Sequence, residues 1–170
     1  MKDSKLDRET FGTIVQKYSK AIFNAAFRIV NDYEDAMDIT QTTFTRVYER
    51  LDRYDPSHDI FSWLYKITVN EAITLAKRKS RYVELGCDEC TRLRNPEAQY
   101  LQNETSEQLQ KALMALALDY RTVLILRHFH DLSYREIAEI LGIPEKKVKW
   151  RLFTSRHMLR ELLLKQGYTP

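Results

Sequence analysis

The sequence predicts an all-α protein of two small helical domains joined by a linker, the C-terminal one a helix-turn-helix. Glycine and proline, which interrupt helices, number only four each in 170 residues. Apolar residues recur at three- and four-residue spacing on both sides of residues 82–104, and that spacing is lost inside the stretch. We therefore place the N-terminal domain at 8–81, the linker at 82–104 and the C-terminal domain at 105–166.

Three helices are predicted in the N-terminal domain. The first carries apolar residues from Phe11 to Ile29 at helical spacing and ends near Asn31. The second is ended by Asp55-Pro56-Ser57, because a residue before proline is disfavoured in a helix. The third begins near residue 59 and runs to about Arg81.

The third predicted helix is apolar on two flanks and polar on one narrow arc. On a helical wheel Phe61 and Tyr65 fall on the apolar side, and we expect both in the core. The arc consists of Lys66, Asn70, Thr74 and Lys77, with Trp63 at its edge. Such a helix is a packed scaffold that holds a narrow polar strip in a fixed position.

Four helices are predicted in the C-terminal domain, and residues 133–152 have the pattern of a helix-turn-helix. Ser133 and Glu136 form a capping box at the start of its first helix. Gly142 permits the left-handed turn, and Pro144 begins the second helix. The helix that precedes this motif begins with Asp119 as its predicted N-cap.

The outer face of the last helix is basic. Between residues 145 and 160 the sequence has six lysines and arginines against the single acid Glu145. Such a face suits phosphates and the major groove of DNA, although a solvated basic helix is the alternative. Trp150 and Phe153 point away from the predicted core, where they would meet bases, thymine methyls or a protein partner, or else pack on the preceding domain.

Bulk properties exclude several classes of protein. The net charge is +3, with no apolar leader at the N-terminus and no membrane-spanning run, so we expect a cytoplasmic protein. No phosphate-binding loop, dinucleotide fingerprint or nucleophile elbow occurs, so we expect neither an enzyme, nor a cofactor, nor a small-molecule substrate. Cys87 and Cys90 form one CxxC pair, which by itself cannot complete a tetrahedral zinc site; His128 or His130 could complete it only if the two domains fold together. The two cysteines are either inert thiols or a zinc or redox control of the linker.

Four stretches occur in an order that resembles bacterial RNA polymerase sigma factors of the extracytoplasmic-function group (group IV). They are DYEDAMDITQTTFTRVYERLDRYDP, IFSWLYKITVNEA, the basic KRKSR and SYREIAEILGIPEKKVKWRL. The resemblance covers about residues 11–163. It implies a protein that binds core polymerase, recognises the −35 and −10 promoter elements and promotes DNA melting. A stand-alone helix-turn-helix regulator is the alternative.

The resemblance also implies three sets of site residues. Those matching the family's contact with the clamp helices of the polymerase β′ subunit are Asp35, Asp38, Gln41, Thr42, Phe44 and Arg46. From the residues alone, the Asp35–Gln41 stretch would be either a solvated acidic face or a metal site. Those matching −10 DNA contacts are His58, Trp63, Lys66, Asn70, Thr74 and Lys77. Those matching −35 DNA contacts are Tyr134, Arg135, Lys146, Lys147, Lys149, Arg151, Phe153 and Arg156. Trp150 is added to this set because it points away from the predicted core.

The implied partners are core RNA polymerase through its β′ and β subunits, promoter DNA and an anti-sigma factor, with a monomer when these are absent. The sequence departs from the family pattern in two places. A Leu-Pro pair is missing near Asp119, and Lys146-Lys147 and Trp150 stand where the family has small residues. The base preference of the family in the −35 element therefore does not transfer to this chain.

Overall fold

The computed structural model describes residues 8–51, 54, 59–84, 104–165 and 167. Within these ranges the chain forms seven α-helices and no strand, so the predicted all-α fold is confirmed. The first group of helices is α1 (Arg8–Val30), α2 (Tyr33–Glu49) and α3 (Ile60–Glu84). The second group is α4 (Glu104–Ala115), α5 (Leu118–His128), α6 (Tyr134–Leu141) and α7 (Glu145–Lys165). None of the described helices is both long and apolar enough to cross a membrane.

The first group packs all three helices against one another around a dry core. Ile22, Val47, Leu64 and Val69 are completely buried there. The core also contains a hydroxyl pair, in which Thr43 Oγ1 and Thr68 Oγ1 are 3.2 Å apart. Since the Thr68 hydroxyl donates to the Leu64 carbonyl oxygen at 2.9 Å, it accepts from Thr43. Both buried hydroxyls are thus satisfied at the α2–α3 contact.

The helix boundaries follow local signals in the sequence. The chain turns at Asn31, whose φ is 57°, and Asp32 then caps α2 by accepting from the Asp35 amide at 2.9 Å. The end of the first helix near Asn31 is therefore confirmed. Helix α3 extends beyond the predicted Arg81 to Glu84, because the basic cluster is built of good helix formers and contains no breaker.

The helix-turn-helix forms as predicted. The Glu136 amide donates to Ser133 Oγ at 3.2 Å, and the Ser133 amide donates to Glu136 Oε2 at 2.7 Å, which completes the capping box. Gly142 has the left-handed φ of 63°, and Val148 is fully buried between α6 and α7. The predicted N-cap Asp119 is wrong: Ala117 occupies that position without a side-chain bond. Asp119 lies in the first turn of α5, where its carboxylate instead pairs with a side chain of α7.

The two groups of helices are packed together, a contact that the sequence does not predict. Helix α6 lies on α3, and α5 lies on α1. The hydroxyl of the fully buried Tyr65 hydrogen bonds with His130 Nδ1 in the turn between α5 and α6. Arg28 of α1 places its guanidinium 3.7 Å from the centre of the Phe129 ring, and Gln110 of α4 donates to the Arg28 carbonyl oxygen at 3.3 Å.

This contact between the groups contains several buried polar groups. Arg28 Nη1, Gln110 Oε1 and His130 Nε2 are buried there without a hydrogen-bond partner among the described residues. Each such atom opposes packing by roughly 1–3 kcal/mol, since it loses its hydration without compensation. We infer that these unpaired atoms weaken the packing of the two groups.

The packing of the two groups should depend on pH through His130. Burial, and then the positive charge of Arg28, lower the pKa of His130 to about 4, and Asp131 opposes them. Because this pKa is below the ordinary histidine value of about 6.5, His130 binds a proton more tightly when the two groups of helices are separated than when they are packed together. Stability that His130 contributes above about pH 6.5 is therefore lost as the pH falls toward about 4.

The measurement is urea unfolding of the wild type and of His130→Gln at pH 7.5 and pH 5. We expect the wild type to lose more stability between these pH values than His130→Gln does. Burial, together with Arg156 and Arg127, also lowers the pKa of His128, so only the difference between the two proteins isolates His130. The exposed His157 on α7 provides the position for the control variant, His157→Gln, which leaves the contact between the two groups unchanged. Equal losses in wild type and His130→Gln would contradict this account.

Candidate nucleic-acid interface

The polar arc of α3 faces solvent, as the helical wheel predicts. Its members Lys66, Asn70, Thr74 and Lys77 are all exposed, while Tyr65 on the opposite side is fully buried. The Thr74 hydroxyl donates to the Asn70 carbonyl oxygen at 2.7 Å, so its own oxygen faces outward as an acceptor. The arc therefore combines two cations, an amide and an acceptor on one rigid surface.

Trp63 lies at the edge of this arc and is partly covered by Tyr54. The two rings stack with centroids 5.5 Å apart and planes 19° apart. Asp59 positions the start of the helix, since its carboxylate accepts from the Ser62 amide at 3.1 Å and its carbonyl accepts from the Trp63 amide at 3.3 Å. One indole face is thus already stacked. His58, the other predicted residue of this region, lies outside the described residues.

The acidic stretch of α2 is only partly free. Asp38 and Gln41 are exposed and Thr42 is half-buried, but Asp35 pairs with Lys79 and Arg46 pairs with Glu71, both on α3. These ion pairs hold the stretch against α3. In the described part of the chain no cluster of three or more metal-ligating side chains occurs, which leaves the alternative of a metal site in this stretch without support.

Phe44 is a core residue, so its assignment to the polymerase-binding surface is wrong. It is 8% exposed and meets the Phe11 ring edge-on at 6.4 Å. Two residues that the sequence analysis missed do lie on the outer side of α2: Met37 is 48% exposed and Tyr48 is 43% exposed. A helical wheel places both beside Gln41, so the signal was present in the sequence.

The outer face of α7 presents the predicted basic and aromatic side chains to solvent. Lys146, Lys147, Lys149 and Arg156 are exposed there, and so are Trp150 and Phe153, at 56% and 75%. Opposite them Val148, Leu152 and Ser155 are buried against the rest of the domain. The expectation that both aromatic residues point away from the core is confirmed.

Arg151 is turned away from this outer face and is not one of its exposed side chains. Its side chain is only 13% exposed and pairs with Asp119 at the start of α5. Arg156, by contrast, is exposed and donates from Nε to His128 Nε2 at 3.2 Å. The lowered pKa of His128 keeps its ring neutral, so that nitrogen can accept.

The first helix of the motif contributes Tyr134 and Arg135. Tyr134 is half-buried, with the guanidinium of Arg127 5.4 Å and the ammonium of Lys149 5.9 Å from its ring centre. Arg135 is exposed and pairs with Glu139 one turn later at 3.0 Å. The Lys149 contact places Tyr134 next to the basic face of α7, so that surface extends onto α6. Cys87 and Cys90 lie outside the described residues.

An apolar groove of about 360 Å³ lies where α4, α5 and α7 meet. Most of its lining residues are leucines, among them Leu109, Leu113 and Leu163, and the lining also includes Phe129, His128, Arg156 and Arg160. An apolar groove that also contains two arginines suits an amphipathic segment that carries acidic residues.

Comparison with known proteins identifies both helical groups. The family model for sigma-70 region 2 matches residues 14–82, and that for sigma-70 region 4 matches residues 106–159. The chain is 32% identical to the ECF RNA polymerase sigma factor SigW of Bacillus subtilis, over 94% of this chain and 91% of that protein. It is 30% identical to the RNA polymerase sigma factor SigV of the same species, over 98% of each.

Two solved structures have a similar fold. One is the sigma factor RpoE in complex with the anti-sigma factor NepR from Bartonella quintana, with a TM-score of 0.75 and 24% identity over 91% of this chain and 97% of that one. The other is CnrH in complex with the cytosolic domain of CnrY, with a TM-score of 0.70 and 25% identity over 92% of this chain and 89% of that one.

The Asp119–Arg151 pair should hold α5 to α7 and contribute modestly to stability. Because Asp119 is half exposed, we expect a coupling of about 0.5–1 kcal/mol. The measurement is a double-mutant cycle of Asp119→Ala and Arg151→Ala in urea unfolding. The i,i+4 pair Arg135–Glu139, with 80% and 61% of its side chains exposed, is the control and should couple more weakly. A coupling no larger than that of the control would contradict the role of Asp119 as an interhelical partner.

Proposed function

This chain belongs to the extracytoplasmic-function group of bacterial RNA polymerase sigma factors, and we propose that it directs core polymerase to promoters. In this proposal the polymerase complex recognises a −35 and a −10 element and opens the DNA. One observation carries it: two surfaces suited to DNA, the polar arc of α3 and the outer face of α7, lie in the matched regions 2 and 4. A stand-alone regulator would need only the outer face of α7.

The outer face of α7 is proposed to contact the −35 element. An α-helix fits the major groove, and lysine and arginine side chains on its rim neutralise phosphates. The proposed contacts are Lys146, Lys147, Lys149, Trp150, Phe153 and Arg156, with Tyr134 and Arg135 on the backbone. Arg151 acts indirectly, since its pair with Asp119 sets the position of α7.

The arc of α3 is proposed to contact the −10 element. DNA opening requires no chemical catalysis, only contacts that hold unstacked bases, each worth about 1–3 kcal/mol. Asn70 and Thr74 offer hydrogen bonds to base edges, while Lys66 and Lys77 neutralise the backbone. The Trp63–Tyr54 stack is a preformed aromatic platform at the end of this arc.

The outer side of α2 is proposed to bind the clamp helices of the β′ subunit. Asp38, Gln41 and Thr42 form its accessible polar part, and the ion pairs of Asp35 and Arg46 fix its orientation on α3. Met37 and Tyr48 add exposed apolar area, which is typical of a protein interface. The apolar groove between α4, α5 and α7 is a second docking surface, suited to an amphipathic segment of the β subunit.

Promoter binding is proposed to require separation of the two groups of helices. Elements centred at −35 and −10 are about 25 base pairs apart, roughly 85 Å along B-DNA at about 3.4 Å per base pair. In the structure α3 and α6 are in direct contact, which brings the two DNA-facing helices onto one small body. One of the two similar solved structures contains an anti-sigma factor and the other contains the cytosolic domain of CnrY. We propose that an anti-sigma factor holds this chain in its closed form.

Run-off transcription with core polymerase on a random promoter library tests the proposal. We expect transcripts from promoters that share two elements, and weak duplex binding by the protein alone. Tight binding to a single operator without core, together with no run-off product, would instead favour the stand-alone regulator.

Asn70→Ala and Arg46→Glu should separate DNA opening from polymerase binding. Asn70→Ala should reduce open-complex formation about five- to a hundredfold, the effect of losing one base contact, with core binding little changed. Arg46→Glu should reduce core binding more than open-complex formation, because it reverses a charge on the proposed polymerase surface. The measurements are permanganate footprinting of open complexes and a core-binding titration.

Glu71→Gln is the matched control for both variants. Glu71 lies next to Asn70 on α3 and pairs with Arg46, so the variant removes the ion pair while keeping both functional side chains. If Glu71→Gln reduced core binding as strongly as Arg46→Glu, the effect would come from the broken pair. If Asn70→Ala impaired core binding as much as opening, the arc would not face DNA.

Lys149→Ala should weaken promoter binding at all sequences and reduce the salt dependence. Losing one phosphate contact lowers the slope of log K against log salt by about 1. The control is Lys111→Ala, on α4, where the lysine pairs with Glu107. An unchanged slope for Lys149→Ala would exclude it from the DNA contact.

A further inference from the structure

Trp150 is a large apolar side chain on the outward side of a DNA-facing helix. It keeps 56% of its surface exposed, directly opposite the buried Val148 and Leu152. Phe153, three residues later and 75% exposed, extends the same apolar patch. Tryptophan is among the residues that contribute most when buried, so its exposure within a basic surface points to a partner that covers it.

Tyr120 gives the indole ring of Trp150 a neighbour from α5. The centroids of the two rings are 6.0 Å apart and their planes are inclined by 53°. Tyr120 adjoins Asp119, and Trp150 adjoins Arg151, so the Asp119–Arg151 ion pair fixes the backbone of both ring-bearing residues. The indole is therefore held in place before it meets a partner, which reduces the entropy lost on contact.

The surroundings of the indole favour DNA over an apolar protein partner. Lys146 is one turn before Trp150 and Lys149 is adjacent, and both are exposed cations. A polyanion satisfies these charges, and the major groove is wide enough to admit the helix that carries them. In that groove thymine is the base that presents a methyl group, and apolar side chains contact it.

We propose that Trp150 contacts the C5-methyl group of a thymine and so sets a thymine preference in the −35 element. Tyr120 is the positioning residue, since it contacts the indole but lies outside the face of α7. The inference rests on the proposed promoter-binding function and adds to it the base group that this side chain recognises. Recognition of a methyl group needs no hydrogen bond and depends only on the apolar surface that Trp150 offers.

The test replaces each thymine of a selected −35 element with deoxyuridine, one at a time. This change removes only the methyl group and keeps every hydrogen-bonding group of the base. Binding is measured with the polymerase complex formed from core enzyme and the full chain. At one position the wild type should lose about fourfold in affinity, the effect of burying one methyl group.

Variants of Trp150 test whether this side chain is the one that recognises the thymine methyl group. With Trp150→Ala, thymine and deoxyuridine should bind equally at that position, while Trp150→Phe, which keeps an apolar ring, should retain part of the preference. Phe153→Ala, which changes a neighbouring exposed aromatic residue, is the matched control. It should keep the wild-type ratio of thymine affinity to deoxyuridine affinity at that position, even if overall binding falls. Urea unfolding checks that Trp150→Ala folds, which its exposure leads us to expect.

Several results would overturn the inference. They are −35 elements selected without any thymine, a wild-type complex insensitive to deoxyuridine at every position, or a preference that survives in Trp150→Ala. Loss of core or anti-sigma binding in Trp150→Ala, with the thymine preference intact, would assign the residue to a protein contact instead. Absence of run-off transcription from every promoter would overturn the proposed function, which is a separate and distinguishable outcome.

Discussion

Tyr65 connects the parts of the structure on which both proposed DNA surfaces depend. Its ring is fully buried between α1 and the turn that follows α5, and its hydroxyl lies 3.4 Å from the Ala21 carbonyl oxygen and hydrogen bonds with His130. Burial raises the pKa of the Tyr65 hydroxyl, which therefore stays protonated. Because this side of α3 is held in the core, the opposite side must present Lys66, Asn70 and Thr74 to solvent.

The same contact leaves Nε2 of His130 buried without a hydrogen-bond partner, whichever ring nitrogen of His130 carries the proton. If Tyr65 donates to Nδ1, then Nε2 carries an unpaired proton; if Tyr65 donates to Ala21, then Nε2 is an unpaired acceptor. Separation of the two groups of helices would hydrate this nitrogen together with the unpaired atoms of Arg28 and Gln110. The unpaired polar atoms thus favour an arrangement that can open, which the proposed binding to two separated promoter elements requires.

Sequence analysis predicts features whose causes lie within a few residues. The capping box joins Ser133 to Glu136, three positions apart, and the exposure of Asn70 follows from the apolar periodicity of its own helix. It fails where the cause is distant in the chain: Arg46 meets a residue 25 positions away and Tyr65 meets one 65 positions away. Phe44 was misplaced because it was carried over with its motif, although the wheel puts it beside the buried Val47.

Trp150 and Arg151 show how one helix divides structural and binding roles between adjacent residues. A step of about 100° along the helix turns Arg151 toward α5, where Asp119 accepts its charge, and leaves Trp150 facing outward. The ion pair turns the guanidinium of Arg151 away from the proposed DNA-contacting face. In the proposed complex this pair holds α7 against α5 and so keeps Trp150 in position to contact a methyl group. The charge of Arg151 then serves recognition through geometry, while Lys146 and Lys149 are proposed to supply the attraction to phosphate.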